Sequence, residues 1–193
     1  MKKIFPLFLL CIFALNNIGC SPANVLATGG ATTMVVAEGD RSLGTVVDDA
    51  TIKVSIAYKF INSDDNLFIN INSTVLEGRV LLTGLVENQE IRIDAVRRVW
   101  EIEGVKEVIN EIEVGNRATL KDYGTDFWIN TKAKALAAKT LGLRSLAYNF
   151  ETIKGKVYIA GITSRPEQLD ELIKAIKTIK GVSEIVNYVV IKE

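Results

Sequence analysis

An internal repeat constrains this chain more than any other feature. When the sequence is shifted by 77 positions, landmark residues coincide without a gap over about 65 residues. The coincident positions include Asp49 with Asp126, Gly84 with Gly161, Asn110 with Asn187, and Gly78-Arg79-Val80 with Gly155-Lys156-Val157. Agreement of this length predicts two copies of one domain, at residues 48–115 and 125–193, with a short join at 116–124.

Each copy has the pattern α-β-β-α-β. Apolar residues at helical spacing predict a first helix at Asp49–Phe60 and at Asp126–Ala138, with Asp49, and Thr125 or Asp126, as N-caps. Alternating Ile69, Ile71 and Ser73 predict a first strand, and the turns at Glu77-Gly78 and Lys154-Gly155 predict hairpins. The closing helix and strand are predicted at 88–103 and 105–114, and again at 166–180 and 182–191. The fold class is therefore α+β, with two tandem domains, each a small mixed sheet covered by two helices.

Glycines occupy equivalent positions in the two copies. Gly104 and Gly181 follow the second helix of each copy, where a C-terminal cap is expected. Gly84 and Gly161 lie within a strand, where glycine is unfavourable unless another part of the backbone comes close. We expect a helix to approach the sheet at these two positions.

The first 20 residues predict export and a lipid anchor. Lys2 and Lys3 precede the apolar run Ile4–Leu15, which is about 12 residues long and suits a signal peptide better than a membrane span. Ile18-Gly19-Cys20 then predicts cleavage before Cys20 and its lipidation; Ser21 favours the outer membrane of a Gram-negative cell, facing the periplasm. The alternative is ordinary cleavage after Val25-Leu26-Ala27. Residues 21–47 are predicted as a flexible tether, with an edge strand within 34–37 as the alternative.

The residue types present make catalysis improbable. The chain contains no histidine, and its two cysteines are Cys11, within the signal, and Cys20. The commonest general base and metal ligand, histidine, is therefore absent, and the mature chain has no free thiol to act as a nucleophile or metal ligand. We predict no enzyme activity, no cofactor and no metal site, and we interpret Asp64-Asp65 as a solvated loop. Arg97-Arg98 is too short a basic run to predict nucleic-acid binding.

Charge separates the two copies, although the whole chain has a formal net charge of zero. Residues 41–119 contain 9 basic and 13 acidic residues, whereas residues 120–193 contain 12 basic and 8 acidic residues. On the first helix of the second copy, Trp128, Lys132, Ala135 and Lys139 share one side, with Thr131 beside them, and this side differs from that of Ile129, Ala133, Leu136 and Ala137. A tryptophan among lysines on an outward face is typical of a membrane interface.

The same positions of the first copy are Thr51, Ser55, Tyr58 and Asn62, which include neither tryptophan nor lysine. The predicted lipid-contacting residues are therefore all in the second copy: Phe127, Trp128, Thr131, Lys132, Ala135 and Lys139. As an alternative, Trp128 packs against the first copy. Trp100, on the second helix of the first copy, is expected at a contact between the domains.

These motifs together resemble the BON domain family. The resemblance rests on the unit of about 65 residues, on Gly78 and Gly155, on Gly84 and Gly161, and on the Gly-Val pair that opens each last strand. Two further segments resemble dual-BON outer-membrane lipoproteins: Arg41-Ser42-Leu43-Gly44-Thr45 with Val47-Asp48-Asp49, and Asp126-Phe127-Trp128-Ile129-Asn130-Thr131-Lys132.

The resemblance implies an αββαβ fold, no catalysis, and binding of anionic phospholipid, such as phosphatidylglycerol or cardiolipin, through the second domain. It also implies a role in outer-membrane integrity. The alternative function is a periplasmic adaptor that binds proteins of envelope assembly, division or osmotic stress, with incidental lipid contact.

Overall fold

The structure is a computed structural model that describes residues 42–63, 65–115 and 120–192. The predicted signal segment with Cys20, the tether as far as residue 41, its alternative edge strand and Asp64 lie outside the described residues. Within the described ranges, no helix is long and apolar enough to cross a bilayer.

Domain 1 runs from the first helix to the third strand. Its elements are α1 (Leu43–Ile61), the single-turn helix α2 (Leu67–Asn70), β1 (Ile71–Leu76), β2 (Arg79–Val86), α3 (Gln89–Trp100) and β3 (Glu107–Val114). The strand order is β1-β2-β3, with β1 antiparallel and β3 parallel to the central β2. The sheet is therefore mixed, and α3 forms the crossover that a parallel pair requires.

Domain 2 repeats this topology. Its elements are α4 (Leu120–Leu141), a 3₁₀ helix (Gly142–Ala147), β4 (Tyr148–Ile153), β5 (Lys156–Thr163), α5 (Pro166–Lys177) and β6 (Glu184–Ile191). Its strand order is β4-β5-β6, again antiparallel and then parallel. The predicted α+β class and the two αββαβ units are confirmed, and each unit has a short additional helical turn before its first strand.

The cores of the two domains use equivalent positions. In domain 1, Ile52, Val80 and Val99 are buried between the helices and one face of the sheet, and their counterparts 77 residues later are Ile129, Val157 and Ile176. The long helices therefore cover the same face of each sheet, as the helical spacing of their apolar residues predicted.

The first helix of each domain begins earlier than predicted. Helix α1 begins at Leu43, with the Ser42 hydroxyl accepting a hydrogen bond from the Thr45 amide at 3.2 Å. Helix α4 begins at Leu120 and includes Gly124. Residues 43–47 of the predicted tether and 120–124 of the predicted join are thus helical. Their glycine, threonine and valine residues have low helix propensity, which concealed these first turns.

Asp49 is not the N-cap of α1, as we predicted, but lies within the helix and fastens it to the hairpin. It is 5% exposed, and its two carboxylate oxygens accept hydrogen bonds from the amides of Glu77 and Gly78, both at 2.8 Å. Both turn residues have positive φ, so this tight turn leaves its amides directed at the helix. Asp126 likewise binds the amides of Lys154 and Gly155.

The prediction that Ile69 belongs to the first strand was wrong. Ile69 lies in α2 and is 78% exposed, whereas Leu67 and Ile71 are buried in the core. Leu67 and Ile71 are four residues apart, the spacing that places two side chains on the same side of a helical turn. Asn66, with φ of 52°, begins this turn in a left-handed conformation.

The close approach predicted at the mid-strand glycines is present, but neither long helix makes it. A Cβ atom on Gly84 would lie 2.2 Å from the backbone oxygen of Asn70, and one on Gly161 would lie 2.7 Å from that of Ala147. Asn70 and Ala147 are the last residues of the short helical turns that precede β1 and β4. The two glycines therefore make room for these turns.

The second face of each sheet packs against the other domain. Leu76, Leu81 and Ala160 form a buried cluster there, with Ile109 and Tyr188 packed against it. Tyr188 donates a hydrogen bond to Glu111, and Lys192 forms an ion pair with Glu77. This packing buries both faces of the central strands, which explains why their apolar residues form almost continuous runs.

Candidate functional site

The first helix of domain 2, α4, has a buried side and an exposed side. Ile129, Ala133 and Ala137 are completely buried against the sheet of domain 2. The predicted lipid-contacting residues, in contrast, are all exposed: Phe127, Trp128, Thr131, Lys132, Ala135 and Lys139. The inward side chains fix the rotation of α4 about its axis, and this rotation directs the remaining residues outward.

Trp128 is 44% exposed, and the Nζ atom of Lys132 lies 5.8 Å from the centre of its ring. This distance is within the range of a cation–π interaction. An indole of this exposure is not buried between the two domains. Trp128 and Lys132 thus present an apolar ring and an ammonium group side by side at the surface.

Two further polar groups lie on the same face of α4. Lys139 is seven residues, or about two helical turns, from Lys132, so the two side chains point in similar directions. Among the described residues, neither lysine forms an ion pair. The Thr131 hydroxyl donates to the backbone oxygen of Phe127 at 2.8 Å, which ties it to the helix. The face therefore carries one aromatic ring and two lysines that form no ion pair among the described residues.

Phe127 lies apart from the other predicted residues. It is 75% exposed, and a rotation of about 100° along the helix separates it from Trp128. Phe127 lines a cavity of about 220 Å³ together with Tyr123 of the same helix and Ile69 of domain 1. The structure thus places Phe127 on the side of α4 that adjoins domain 1.

Further exposed apolar residues, which we did not predict from the sequence, lie in α4 and in the 3₁₀ helix that follows it. Leu143 and Leu146, in the 3₁₀ helix after α4, are 59% and 58% exposed, and Tyr123 in the first turns of α4 is 53% exposed. Leu143 and Leu146 are three residues apart, a spacing that places both on one side of a 3₁₀ turn. This spacing was the only sequence signal for them.

A second cavity, of about 280 Å³, adjoins the inner edge of α4. Lys134 of α4, Lys53 of α1 and Glu151 of β4 contribute to its lining. Burial raises the pKa of Glu151, while the positive charges of Lys134 and Lys53 act in the opposite direction. Lys134 is therefore directed toward a carboxyl group and differs in surroundings from Lys132 and Lys139.

Trp100, which we expected at a contact between the domains, ends α3 and is 52% exposed. It does not belong to the buried cluster through which the two sheets pack against each other. The chain contains two tryptophans in all, and both are accessible. Trp100 differs from Trp128 in its neighbours, because Arg97 nearby forms ion pairs with Asp94 and Glu101.

The domains match a known family. The BON domain family model matches residues 48–116 and 125–193, and the chain therefore belongs to the BON domain family and contains two copies of the domain.

Three relatives are similar over most of the chain. A protein of Anaplasma centrale described as "Uncharacterized protein in gshII 5'region" is 37% identical over 147 residues, which cover 76% of this chain and 96% of that protein. The "21 kDa hemolysin" of Actinobacillus pleuropneumoniae is 29% identical over 77% of this chain and 78% of its own length. The "Outer membrane lipoprotein DolP" of Haemophilus influenzae is 26% identical over 88% of this chain and 89% of its own length.

Proposed function

We propose that the protein is a non-enzymatic envelope lipoprotein that binds anionic phospholipid through the outward face of α4. The observation that carries this proposal is the exposed Trp128 ring with Lys132 over it and Lys139 on the same face. Phosphatidylglycerol and cardiolipin supply the anionic headgroups.

The chemistry of this face suits the boundary between headgroups and acyl chains. An indole ring is amphipathic and takes up the interface, while lysine stems lie along apolar surface and extend their ammonium groups to phosphate. Residues 120–193 have four more basic than acidic residues, and each lysine or arginine close to an anionic surface contributes about 1 kcal/mol. Domain 2 is thus attracted to the membrane as a whole, and the α4 face makes the contact.

The relatives support an envelope location. DolP of Haemophilus influenzae is described as an outer membrane lipoprotein, and the segment ending in Ile18-Gly19-Cys20 has the features of a lipoprotein signal. We place the chain at the outer membrane, anchored through acyl chains on Cys20 and facing the periplasm. There the acyl chains on Cys20 fix the N-terminal end in the membrane, while domain 2 contacts the bilayer surface. We propose that these two attachments contribute to membrane integrity.

Co-sedimentation with liposomes tests the lipid contact. The chain from residue 21 to 193 is mixed with vesicles of phosphatidylcholine alone or with added phosphatidylglycerol. We expect binding only with the anionic lipid, and loss of binding in Trp128→Ala and in the double variant Lys132→Glu/Lys139→Glu.

The matched controls separate the α4 face from general effects. Trp100→Ala removes the other exposed tryptophan, and Lys174→Glu/Lys177→Glu makes the same charge change on exposed residues of α5 in the same domain. Both controls retain most of the binding if α4 is the contact. Equal loss in the two double variants would show that only net charge matters, and absence of binding by the unaltered chain would refute lipid binding.

A further inference from the structure

The outward side of α1 in domain 1 carries a line of large apolar residues. Val47, Val54, Tyr58 and Ile61 are 46%, 69%, 70% and 61% exposed. Val47, Val54 and Ile61 are separated by seven residues, or about two helical turns, and Tyr58 lies one turn after Val54. We call these four residues the α1 stripe. They form one continuous apolar line along almost the whole helix, which differs from scattered exposed side chains.

The α1 stripe has no charged residue on its own face. Ala50, Thr51, Ser55 and Ala57, which lie between its members, are small and uncharged. Lys53 lies about 100° from Val54, at the edge of the face. At the α4 positions equivalent to Ser55 and Asn62 stand Lys132 and Lys139, and residues 41–119 contain four more acidic than basic residues. Anionic lipid is therefore a poor match for the α1 stripe, whereas an apolar protein surface matches it.

An acidic cavity borders the α1 stripe on one side. It has a volume of about 510 Å³ and is lined by Asp48, Asp49, Thr51 and Ser55 of α1. Glu77, Glu103 and the single basic residue Lys106 line it across from the helix. Asp49 and Glu77 are engaged within the fold, by the hairpin amides and by Lys192. Asp48 and Glu103 are exposed, so they supply the negative charge that a partner meets.

We propose that the α1 stripe and this cavity form a docking surface for an amphipathic helix of another protein. The partner helix has an uncharged apolar face that packs along Val47, Val54, Tyr58 and Ile61. It has a lysine or arginine on one flank that enters the acidic cavity. Ala50 and Ala57 leave room for close packing between the two helices, because interaxial distance depends on the side chains at the contact. Domain 1 would then bind protein while domain 2 binds lipid.

Two synthetic helical peptides test this docking. Both have the same leucine and alanine face; one has lysine and the other glutamate on a single flank, and each carries a fluorophore. Fluorescence anisotropy with the chain of residues 21–193 measures binding. We expect the lysine peptide to bind at least about tenfold more tightly than the glutamate peptide, and Asp48→Asn/Glu103→Gln to remove most of this difference.

Substitutions on the α1 stripe test its location. Val54→Ser/Tyr58→Ser should weaken binding of the lysine peptide about tenfold or more. Ile93→Ser, at a 58% exposed position of α3, is the matched control and should leave binding unchanged. Circular dichroism verifies that all variants are folded.

Three results would overturn the proposal. The first is peptide binding that is absent or equal in the stripe and control variants. The second is self-association of the chain in sedimentation velocity that disappears in Val54→Ser/Tyr58→Ser, which would make a second copy the occupant. The third is loss of vesicle binding in that variant, which would assign the α1 stripe to the membrane. Loss of vesicle binding in Trp128→Ala alone would be a result about domain 2, and it would leave the proposal for the α1 stripe intact.

Discussion

Replacing Asp49 with alanine should destabilise domain 1 strongly, because Asp49 connects α1 to the hairpin turn. Its carboxylate accepts hydrogen bonds from the Glu77 and Gly78 amides at 2.8 Å each, and its side chain is buried. A hydrogen bond to a charged group contributes about 1.5–3 kcal/mol. The Glu77 amide is near the surface and regains water, whereas Gly78 is buried. We therefore expect a loss of about 2–4 kcal/mol in the free energy of unfolding.

Urea denaturation followed by far-ultraviolet circular dichroism measures this loss. The exposed neighbour Asp48→Ala is the control, since the two variants change net charge equally. Asp126→Ala should have a smaller effect than Asp49→Ala, because Asp126 is only half-buried. A change below about 0.5 kcal/mol in Asp49→Ala, the range of ordinary surface substitutions, would refute the connecting role of this carboxylate.

Three other properties follow from the structure. Gly84→Ala should cost about 3 kcal/mol, because its Cβ would lie 2.2 Å from the Asn70 backbone oxygen; an unchanged melting temperature would contradict the close approach. Burial, followed by the hydrogen bond to Glu111, raises the pKa of Tyr188 from 10.0 to about 12. The neutral form is thus favoured in the folded state, and its contribution to stability is complete below pH 10.0 and is lost as the pH rises toward about 12. Near-ultraviolet absorbance of wild type minus Tyr188→Phe measures this titration, and a Tyr188 pKa at the ordinary value would contradict it. Vesicle binding should weaken as salt rises from about 0.05 to 0.5 M, because salt screens the lysine–phosphate attraction; co-sedimentation that is independent of salt would contradict an electrostatic contact.

The sequence predicted the order of elements because the repeat supplies each pattern twice. Glu77-Gly78 and Lys154-Gly155 are the predicted hairpin turns, and Asn88 and Pro166 lie at the starts of α3 and α5. These signals are local, since they depend on turn chemistry and on the first residues of a helix.

Contacts between distant residues could not be predicted in the same way. Asp49 has the residue type of an N-cap, but its partners are 28 and 29 residues away in the hairpin. Ile69 continues an alternating pattern, yet buried Leu67 and Ile71 set a helical turn there. Tertiary packing overrode the local preference at both positions.

Part of the candidate site was predictable, because it depends on local helical spacing. Helical spacing sufficed to place Trp128 and Lys132 outward, because Ile129 and Ala133 identify the inward side. The cavity beside Phe127 was not predictable, because it requires Ile69 of the other domain. The α1 stripe was partly visible, since Tyr58 was recognised as an outward residue, but the exposure of Val54 and Ile61 depends on what the fold leaves uncovered.

The fluorescence of Trp128 tests the central claim most directly, because the chain has two tryptophans. In Trp100→Phe, Trp128 is the only indole, and the reciprocal Trp128→Phe reports on Trp100. Anionic vesicles that contain brominated acyl chains should shift the Trp128 emission to shorter wavelength and quench it, while Trp100 emission stays unchanged. If the chain binds these vesicles and Trp128 emission neither shifts nor is quenched, the membrane contact is not the outward face of α4.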